Sequence, residues 1–180
     1  MRLCNLFTSL LLGISVTSVS LSLASPFDSV SEGDLQDRAI ILDARALRLL
    51  IAKEPDKDAT CPYRARVGNF GPYAQHKYTK NQIKVAFLAG AKYAADGKQV
   101  GARKYPHDFG NGEKLPFPCG KNKMEFPIDS NNNLNPYGGG PSDNIPDRVV
   151  FEYRKKKKEF VVYYCGVMRH GTGRDFVKCT

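Results

Sequence analysis

The sequence predicts an α+β domain in which one α-helix packs on a twisted antiparallel β-sheet. Two observations support this prediction: a single run with helical apolar spacing after residue 80, and a series of strand-like runs that follow it. The 180 residues allow one domain of ordinary size. An apolar share of 42% excludes a chain that is disordered throughout, and it also excludes a membrane bundle.

The first 24 residues have the pattern of a cleaved secretory signal peptide. Arg2 supplies the positive start, residues 6–16 are mostly apolar, and residues 20–24 offer small side chains for cleavage. The apolar run is too short to span a membrane well, and no second run approaches that length. We therefore expect a secreted, extracellular protein that has no membrane contact once the signal is removed. We also expect it to be a monomer.

Charge divides the remaining chain near Thr60. Residues 25–59 hold five Lys/Arg and eight Asp/Glu, a net charge of −3, whereas residues 60–180 carry +11. We expect residues 25–59 to be an acidic propeptide or an N-terminal extension, with or without a function, and residues 60–180 to form the domain. Within the extension, the apolar residues of segment 34–53 have the spacing of an amphipathic helix that ends before Pro55.

The helix after residue 80 has a clear start and end. Thr79 and Gln82 fit a capping box, in which each side chain bonds the backbone N–H of the other residue. Apolar residues then recur on one face, and Asp96 with Gly97 ends the run. This pattern predicts a helix that packs on the core and needs no catalytic role.

The rest of the chain predicts strands. Segment 102–107 is short and extended, and segments 123–129, 147–153 and 160–168 have stronger strand patterns. A charged hairpin turn at 154–159 joins the last two segments, and a loop rich in Asn, Gly and Pro occupies 129–146. Consecutive strands joined in this way indicate an antiparallel sheet.

Five polar side chains in these segments form a candidate catalytic set. Tyr105 and His107 are two residues apart in an extended segment, so both face one side. Glu125 and Arg148 lie in the next strands, and His170 follows the last strand in phase with its even-numbered residues. A carboxylate, two imidazoles, a guanidinium and a phenol suit phosphoryl transfer on RNA, where proton transfer and charge stabilisation do the chemistry.

Each of these residues also has an ordinary structural interpretation. Arg148 can pair with Asp147 or Glu152, and Glu125 can be an edge residue of a sheet. A histidine outside the set, His76, is interpreted as a surface or hydrogen-bonded residue.

The ordered set resembles the fungal guanyl-specific ribonucleases, whose sarcin-like ribotoxin relatives share the scaffold. The resemblance covers about residues 60–180. It implies an endoribonuclease that cleaves single-stranded RNA after guanosine through a 2′,3′-cyclic phosphate, without a metal or another cofactor. The segments that carry the resemblance are Tyr105-Pro106-His107, Glu125-Phe126-Pro127-Ile128, Asp147-Arg148-Val149-Val150-Phe151, Gly166-Val167-Met168-Arg169-His170 and Asp175-Phe176-Val177-Lys178-Cys179-Thr180.

The resemblance implies a catalytic role for each member of the set. Glu125 would be the general base, and His107 would assist or replace it. His170 would be the general acid. Arg148 and Tyr105 would stabilise the negative phosphorane.

The resemblance also implies a base-recognition loop just after the first histidine. Phe109 would stack on the base, and backbone groups of Gly110 and Asn111 would contact its edge. Glu113 would accept from N1–H and the exocyclic amine of guanine, groups that adenine does not present in that pattern. Phe176 would form an apolar wall beside the phosphate. The alternative is a flexible glycine-rich turn with one acidic residue.

Three departures from the family pattern predict a looser guanine preference. Gly112 stands where a second aromatic residue usually covers the base. The loop after His170 is shorter than usual, and Arg174 stands where a polar amide is common.

Cysteine usage fits an oxidising compartment. Cys4 leaves with the signal peptide, and the four remaining cysteines allow three pairings of two disulfides. The resemblance implies Cys61 with Cys179 and Cys119 with Cys165.

The hairpin turn carries four adjacent lysines, with two interpretations. They form either a solvated tip or a contact for RNA phosphates, and a ribosome is a further candidate partner. The segment from His107 to Glu125 is short, as in the non-toxic enzymes, which weighs against a dedicated ribotoxin. A non-catalytic secreted effector on this scaffold is the remaining alternative. The four residues are Lys155, Lys156, Lys157 and Lys158.

Overall fold

The computed structural model describes residues 47–66, 69, 71–131, 134–171 and 175–180. The predicted signal peptide and most of segment 34–53 lie outside these ranges. Within the described residues, no helix has the length and apolarity needed to cross a membrane. The described elements, in chain order, are β1 (Arg48–Lys53), β2 (Ala59–Cys61), β3 (His76–Tyr78), α1 (Lys80–Ala95), β4 (His107–Asp108), β5 (Lys123–Pro127), β6 (Asp147–Lys155), β7 (Glu159–His170) and β8 (Phe176–Lys178).

The main sheet is mixed, whereas the sequence predicts an antiparallel one. Its strands run in the order β1-β7-β6-β5-β4, β8 also pairs with β7, and β2 and β3 form a separate pair. Every pair in the main sheet is antiparallel except β1 with β7, which is parallel. The predicted α+β class, with one described helix on a sheet, is confirmed in this modified form.

Strand β1 also corrects the predicted helix at 34–53 in its described part. Residues 48–53 form a strand on the outer side of β7, and Leu49 and Ile51 pack against the main core. A short apolar run fits a strand or a helix equally well, and pairing with β7 decides here in favour of the strand. This part of the acidic segment therefore belongs to the sheet.

Helix α1 begins where the sequence predicts. Thr79 is the N-cap, and both bonds of the capping box with Gln82 are present. The helix packs closely on the sheet, because a Cβ placed on Gly90 would lie 2.8 Å from Phe126. Glycine at this position lets the backbones approach. The buried face consists of Ile83, Ala86, Phe87, Gly90, Ala91 and Ala95.

Strand β7 carries one extra residue near its middle. Val150 of β6 pairs with Gly166, whereas the next residue, Phe151, pairs with Tyr164, so Cys165 has no partner in this ladder. A β-bulge of this kind shifts the alternation of side chains by one position.

Because of the bulge, His170 does not lie on the same sheet face as Tyr164, so that prediction is wrong. Tyr164 lies in the main core beneath the helix, whereas Met168 lies in a second, smaller core with Phe109 and Phe117 on the opposite face. His170 is two residues beyond Met168 and so follows Met168, not Tyr164. The candidate catalytic face is therefore the sheet face away from α1.

Both disulfides that the resemblance implies are present. Cys61–Cys179 joins β2 to the C-terminus across 118 residues, and Cys119–Cys165 ties the 109–121 loop to β7. In the chain-entropy model, the 118-residue loop that the first disulfide closes contributes roughly 4–5 kcal/mol to stability. The second disulfide holds the loop over the catalytic face.

A buried ion pair anchors the end of the sheet where the candidate site lies. Both carboxylate oxygens of Asp147 accept from Arg169 at 2.7 Å, and the hydroxyl of Tyr78 donates to Asp147 at 2.6 Å. Glu152 pairs with Arg154. The interpretation in which Arg148 pairs with Asp147 or Glu152 is therefore wrong, and Arg148 remains available for another role.

Candidate active site

Strand register brings five of the six predicted catalytic residues to one end of one sheet face, and Tyr105 lies just before β4. His107 lies opposite Glu125 across β4 and β5, and His170 lies opposite Phe176 across β7 and β8. Strand β6, which carries Arg148, runs between β5 and β7. The two histidines therefore flank a central carboxylate and guanidinium.

Glu125 and His107 form a close acid–base pair. Nε2 of His107 is 3.4 Å from Oε1 of Glu125, whose side chain is 7% exposed. Oε2 of Glu125 is buried and has no hydrogen-bond partner among the described residues. Burial raises the pKa of Glu125, the charges of Arg148 and His107 oppose that rise, and Glu113 adds to it. A carboxylate with a raised pKa is a stronger base once it is ionised.

Tyr105 and backbone carbonyls hold Arg148 in place. Its Nε donates to the Tyr105 hydroxyl at 3.1 Å, and its Nη1 donates to the carbonyls of Asp147 and Ile145. Its carbon Cζ lies 5.0 Å from the Tyr105 ring centroid, and that ring stacks on His107 at 4.7 Å. Tyr105 and His107 are therefore in contact, as predicted, but the predicted extended segment 102–107 is wrong, because residues 101–104 form turns and the strand begins only at His107.

The charge of Arg148 has no carboxylate partner within ion-pair distance among the described residues. The residue is only 2% exposed, and a buried charge without a counter-charge is unfavourable. A buried positive charge without a counter-charge is well suited to bind an anion, because little water competes for the guanidinium. A positive charge without a carboxylate partner among the described residues therefore lies on the strand between those of Glu125 and His170.

His170 lies against an apolar wall. Its ring centroid is 4.3 Å from that of Phe176, and its backbone N–H donates to the carbonyl of Pro146. Burial lowers the pKa of His170 to about 4, with further lowering by the charges of Arg148 and Arg103. His170 is consequently neutral in the free protein near neutral pH.

The wall extends from Phe176 into the second core. Phe109 contacts Phe176 and Phe117 in edge-on arrangements at about 6 Å between centroids. Phe109 is 7% exposed, so only a small part of its ring can contact a base. Through these contacts Phe109 joins the predicted base-recognition loop to the candidate catalytic face.

The four predicted base-binding residues line one open pocket of about 500 Å³. Within the loop, the side chain of Asn111 bonds both backbone groups of Leu115, and its carbonyl accepts from the N–H of Lys114 at 3.0 Å, which leaves its backbone N–H rather than its amide for a ligand. Glu113 is exposed in the pocket. The lining residues are Phe109, Gly110, Asn111, Gly112, Glu113 and Asp175.

Sequence reasoning missed two residues near the site. Asp175 lines the same pocket as the predicted base-binding residues, and its position directly before Phe176 is the signal that could have identified it. Arg103 acts electrostatically on His170 and pairs with Asp143 at 2.6 Å. Its position two residues before Tyr105 is a comparable signal.

Two other features do not contribute to the candidate site. A cavity of about 590 Å³ between segment 53–59 and the far end of the 109–121 loop contains none of the predicted catalytic residues. Among the described residues, Cys61, Cys179 and Asp147 lie close enough to suggest a metal site, but the two sulfurs form a disulfide.

The comparisons with known proteins all point to ribonucleases. A ribonuclease family model matches residues 69–180. Guanyl-specific ribonuclease T1 of Aspergillus oryzae is 32% identical over 105 residues, which cover 57% of this chain and 72% of that protein. Guanyl-specific ribonuclease Ap1 of Aspergillus pallidus is 32% identical over 106 residues, which cover 58% of this chain and 91% of that protein. Strand β1 lies outside the family match.

Proposed function

The chain belongs to the family of the fungal guanyl-specific ribonucleases, and on that premise we propose that it is an endoribonuclease that cleaves single-stranded RNA after guanosine. One observation supports the proposal above all others. The buried Arg148 guanidinium, which has no carboxylate partner among the described residues, lies in the strand between those of Glu125 and His170. This arrangement suits a phosphate flanked by a base and an acid.

The proposed reaction is a transesterification followed by hydrolysis. Glu125 takes the proton of the ribose 2′-OH, and the 2′-oxygen attacks phosphorus while His170 gives a proton to the departing 5′-oxygen. The product is a 2′,3′-cyclic phosphate. In the second step a water molecule replaces the 5′-oxygen, the proton transfers run in reverse, and a 3′-phosphate results. Because the 2′-OH is an internal nucleophile, the reaction requires no metal to generate one.

Binding of the substrate favours the protonated form of His170, which a general acid requires. The guanidinium of Arg148 is the second cause of the low pKa of His170, after burial. A phosphate bound to Arg148 offsets that charge and adds a negative charge beside the imidazole. Both effects raise the pKa of His170 and so favour its protonated form when the substrate is bound.

His107 is a reserve base. Its Nε2 is 3.4 Å from Glu125, and the side chain is 37% exposed, so it can exchange protons with solvent. When the carboxylate is removed, an imidazole at this distance can still reach the same 2′-OH region.

The base pocket supports guanine as the preferred base. Glu113 offers a carboxylate to N1–H and the exocyclic amine, and backbone groups of Gly110 and Asn111 line the same pocket. Gly112 provides no second aromatic face, and Phe109 is mostly buried. The preference should therefore depend on hydrogen bonding more than on stacking, and it should be looser than in an enzyme with two exposed rings.

Secretion is part of the proposal. The predicted signal peptide and the two disulfides support an oxidising destination, since such bonds are rare in the cytosol. The N-terminal residue of the protein in a culture supernatant would test the cleavage after residue 24.

The decisive test uses RNA oligomers of uridine that contain one guanosine or one adenosine. We expect cleavage after guanosine in the presence of EDTA and a transient cyclic phosphate by mass spectrometry. His170→Ala should lose nearly all activity, whereas His76→Ala, which changes a histidine in the separate β2–β3 sheet, should keep it. An active His170→Ala protein, or activity that requires added magnesium, would show that the mechanism is wrong.

Intact ribosomes separate the remaining alternatives. Broad degradation of ribosomal RNA fits the proposal, and one specific fragment would indicate a ribotoxin. An absence of cleavage on every RNA would indicate a non-catalytic effector.

A further inference from the structure

The sheet carries a cluster of cations at the end opposite the candidate active site. Here β5 begins, β6 turns into β7, and β1 begins beside them. We call this surface the basic end. It consists of Arg48, Lys53, Lys121, Lys123, Arg154 and the four lysines at 155–158.

Most of these cations form no ion pair with a described residue. Arg154 pairs with Glu152 at 2.8 Å, and Lys156 lies 3.6 Å from Glu159. The other cations of the basic end form no ion pair with any described residue, and the hairpin residues 154–158 are all exposed. A surface of this kind binds counterions in solution and releases them when a polyanion replaces them.

The basic end continues the catalytic face. Lys123 lies two residues from Glu125 on β5, so both side chains project from the same side. Arg154 lies over the ring of Tyr163 at 4.7 Å, and Lys53 is the register partner of Tyr163 in β1. Arg148 and Arg154 are six residues apart along β6, a distance of about 20 Å. An extended chain of several nucleotides can bridge the two ends.

We propose that the basic end binds the phosphates of the substrate RNA at a distance from the cleaved bond. This inference rests on the proposed function. The exposed large apolar residues of the described chain are Tyr63 and Leu134, neither of which belongs to the basic end, so it has no apolar anchor for a lipid surface or a protein core. Phosphate contacts carry no sequence information, so the surface adds affinity without changing the base that is cut.

The test compares two triple variants with the same change in charge. One variant combines Lys155→Gln, Lys157→Gln and Lys158→Gln, and it leaves the Lys156–Glu159 pair intact. The control combines Lys80→Gln, Lys84→Gln and Lys92→Gln on α1, which packs on the other face of the sheet. Binding to fluorescent poly(U) is measured by anisotropy over a series of salt concentrations. Turnover is measured with the dinucleotide GpU and with a 30-residue RNA that contains one guanosine.

The hairpin variant should bind poly(U) less tightly, and its log–log salt slope should be smaller by about 2, that is, about 0.7 for each of three lost contacts on a single strand. Turnover of the long RNA should fall at low salt, while turnover of GpU stays the same. An unchanged slope, an equal change in the control, or altered turnover of GpU would overturn the inference. Poly(U) contains no guanosine, so its binding tests the role of the basic end independently of cleavage. If the protein cleaves neither GpU nor the long RNA, the proposed function is rejected, but the binding result still stands.

Discussion

Replacing Asp147 with asparagine should destabilise the protein strongly, although the shape of the side chain is kept. Asp147 is fully buried and accepts two hydrogen bonds from Arg169 and one from Tyr78. The asparagine would leave the guanidinium of Arg169, which is 2% exposed, without its counter-charge. Breaking a buried pair in this way typically costs about 3–5 kcal/mol.

The structure places the expected cost near the lower end of that range. Nη1 of Arg169 also donates to the carbonyls of Pro62 and Ala74, and these bonds survive the substitution. We expect the free energy of unfolding to fall by about 3 kcal/mol. With a urea dependence of about 1–3 kcal/mol per molar, the midpoint of unfolding should fall by about 1.5 M.

Urea unfolding followed by circular dichroism measures this change, and Glu54→Gln is the control. Glu54 forms an ion pair with Lys84 at 2.6 Å in which both side chains are more than 40% exposed, so its loss should cost less than about 1 kcal/mol. If Asp147→Asn costs no more than Glu54→Gln, the buried pair does not stabilise the fold as argued.

Three further predictions concern the site. Glu125→Gln should lower kcat/KM by about 10²- to 10⁴-fold yet leave measurable activity. Adding His107→Gln to that variant should remove the remaining activity. Full loss in Glu125→Gln alone would rule out a reserve base. NMR titration should find the pKa of His170 at about 4 in the free protein and higher with guanosine 3′-phosphate bound, because the ligand offsets Arg148; an unmoved pKa would contradict this coupling. Gly112→Tyr should lower KM for GpU, since a Cβ at this position meets no atom within 4 Å, and an unchanged KM would show that the ring does not reach the base.

Local chemistry determined several features that the sequence alone predicts. The start of α1 follows from Thr79 and Gln82, whose side chains bond backbone groups three residues away. The β6–β7 hairpin follows from two strand-forming runs joined by a short charged turn. The candidate set of base, acid and phosphate-binding residues was predictable because motifs carry residue types and spacing in the chain itself. Whether those residues perform the assigned roles stays a prediction.

Contacts between distant residues decided what the sequence left open. Residues 48–53 form a strand because β7 offers an edge, and Cys165 bulges because the β6 ladder skips it. Asp147 pairs with Arg169, 22 residues away, and not with the adjacent Arg148. Asp175 lies beside residues 109–113 in one pocket only because the folded chain brings the C-terminal strand to that loop. In each case the local sequence allows more than one secondary structure, strand register or charge partner. Burial in the assembled sheet selects one of these alternatives.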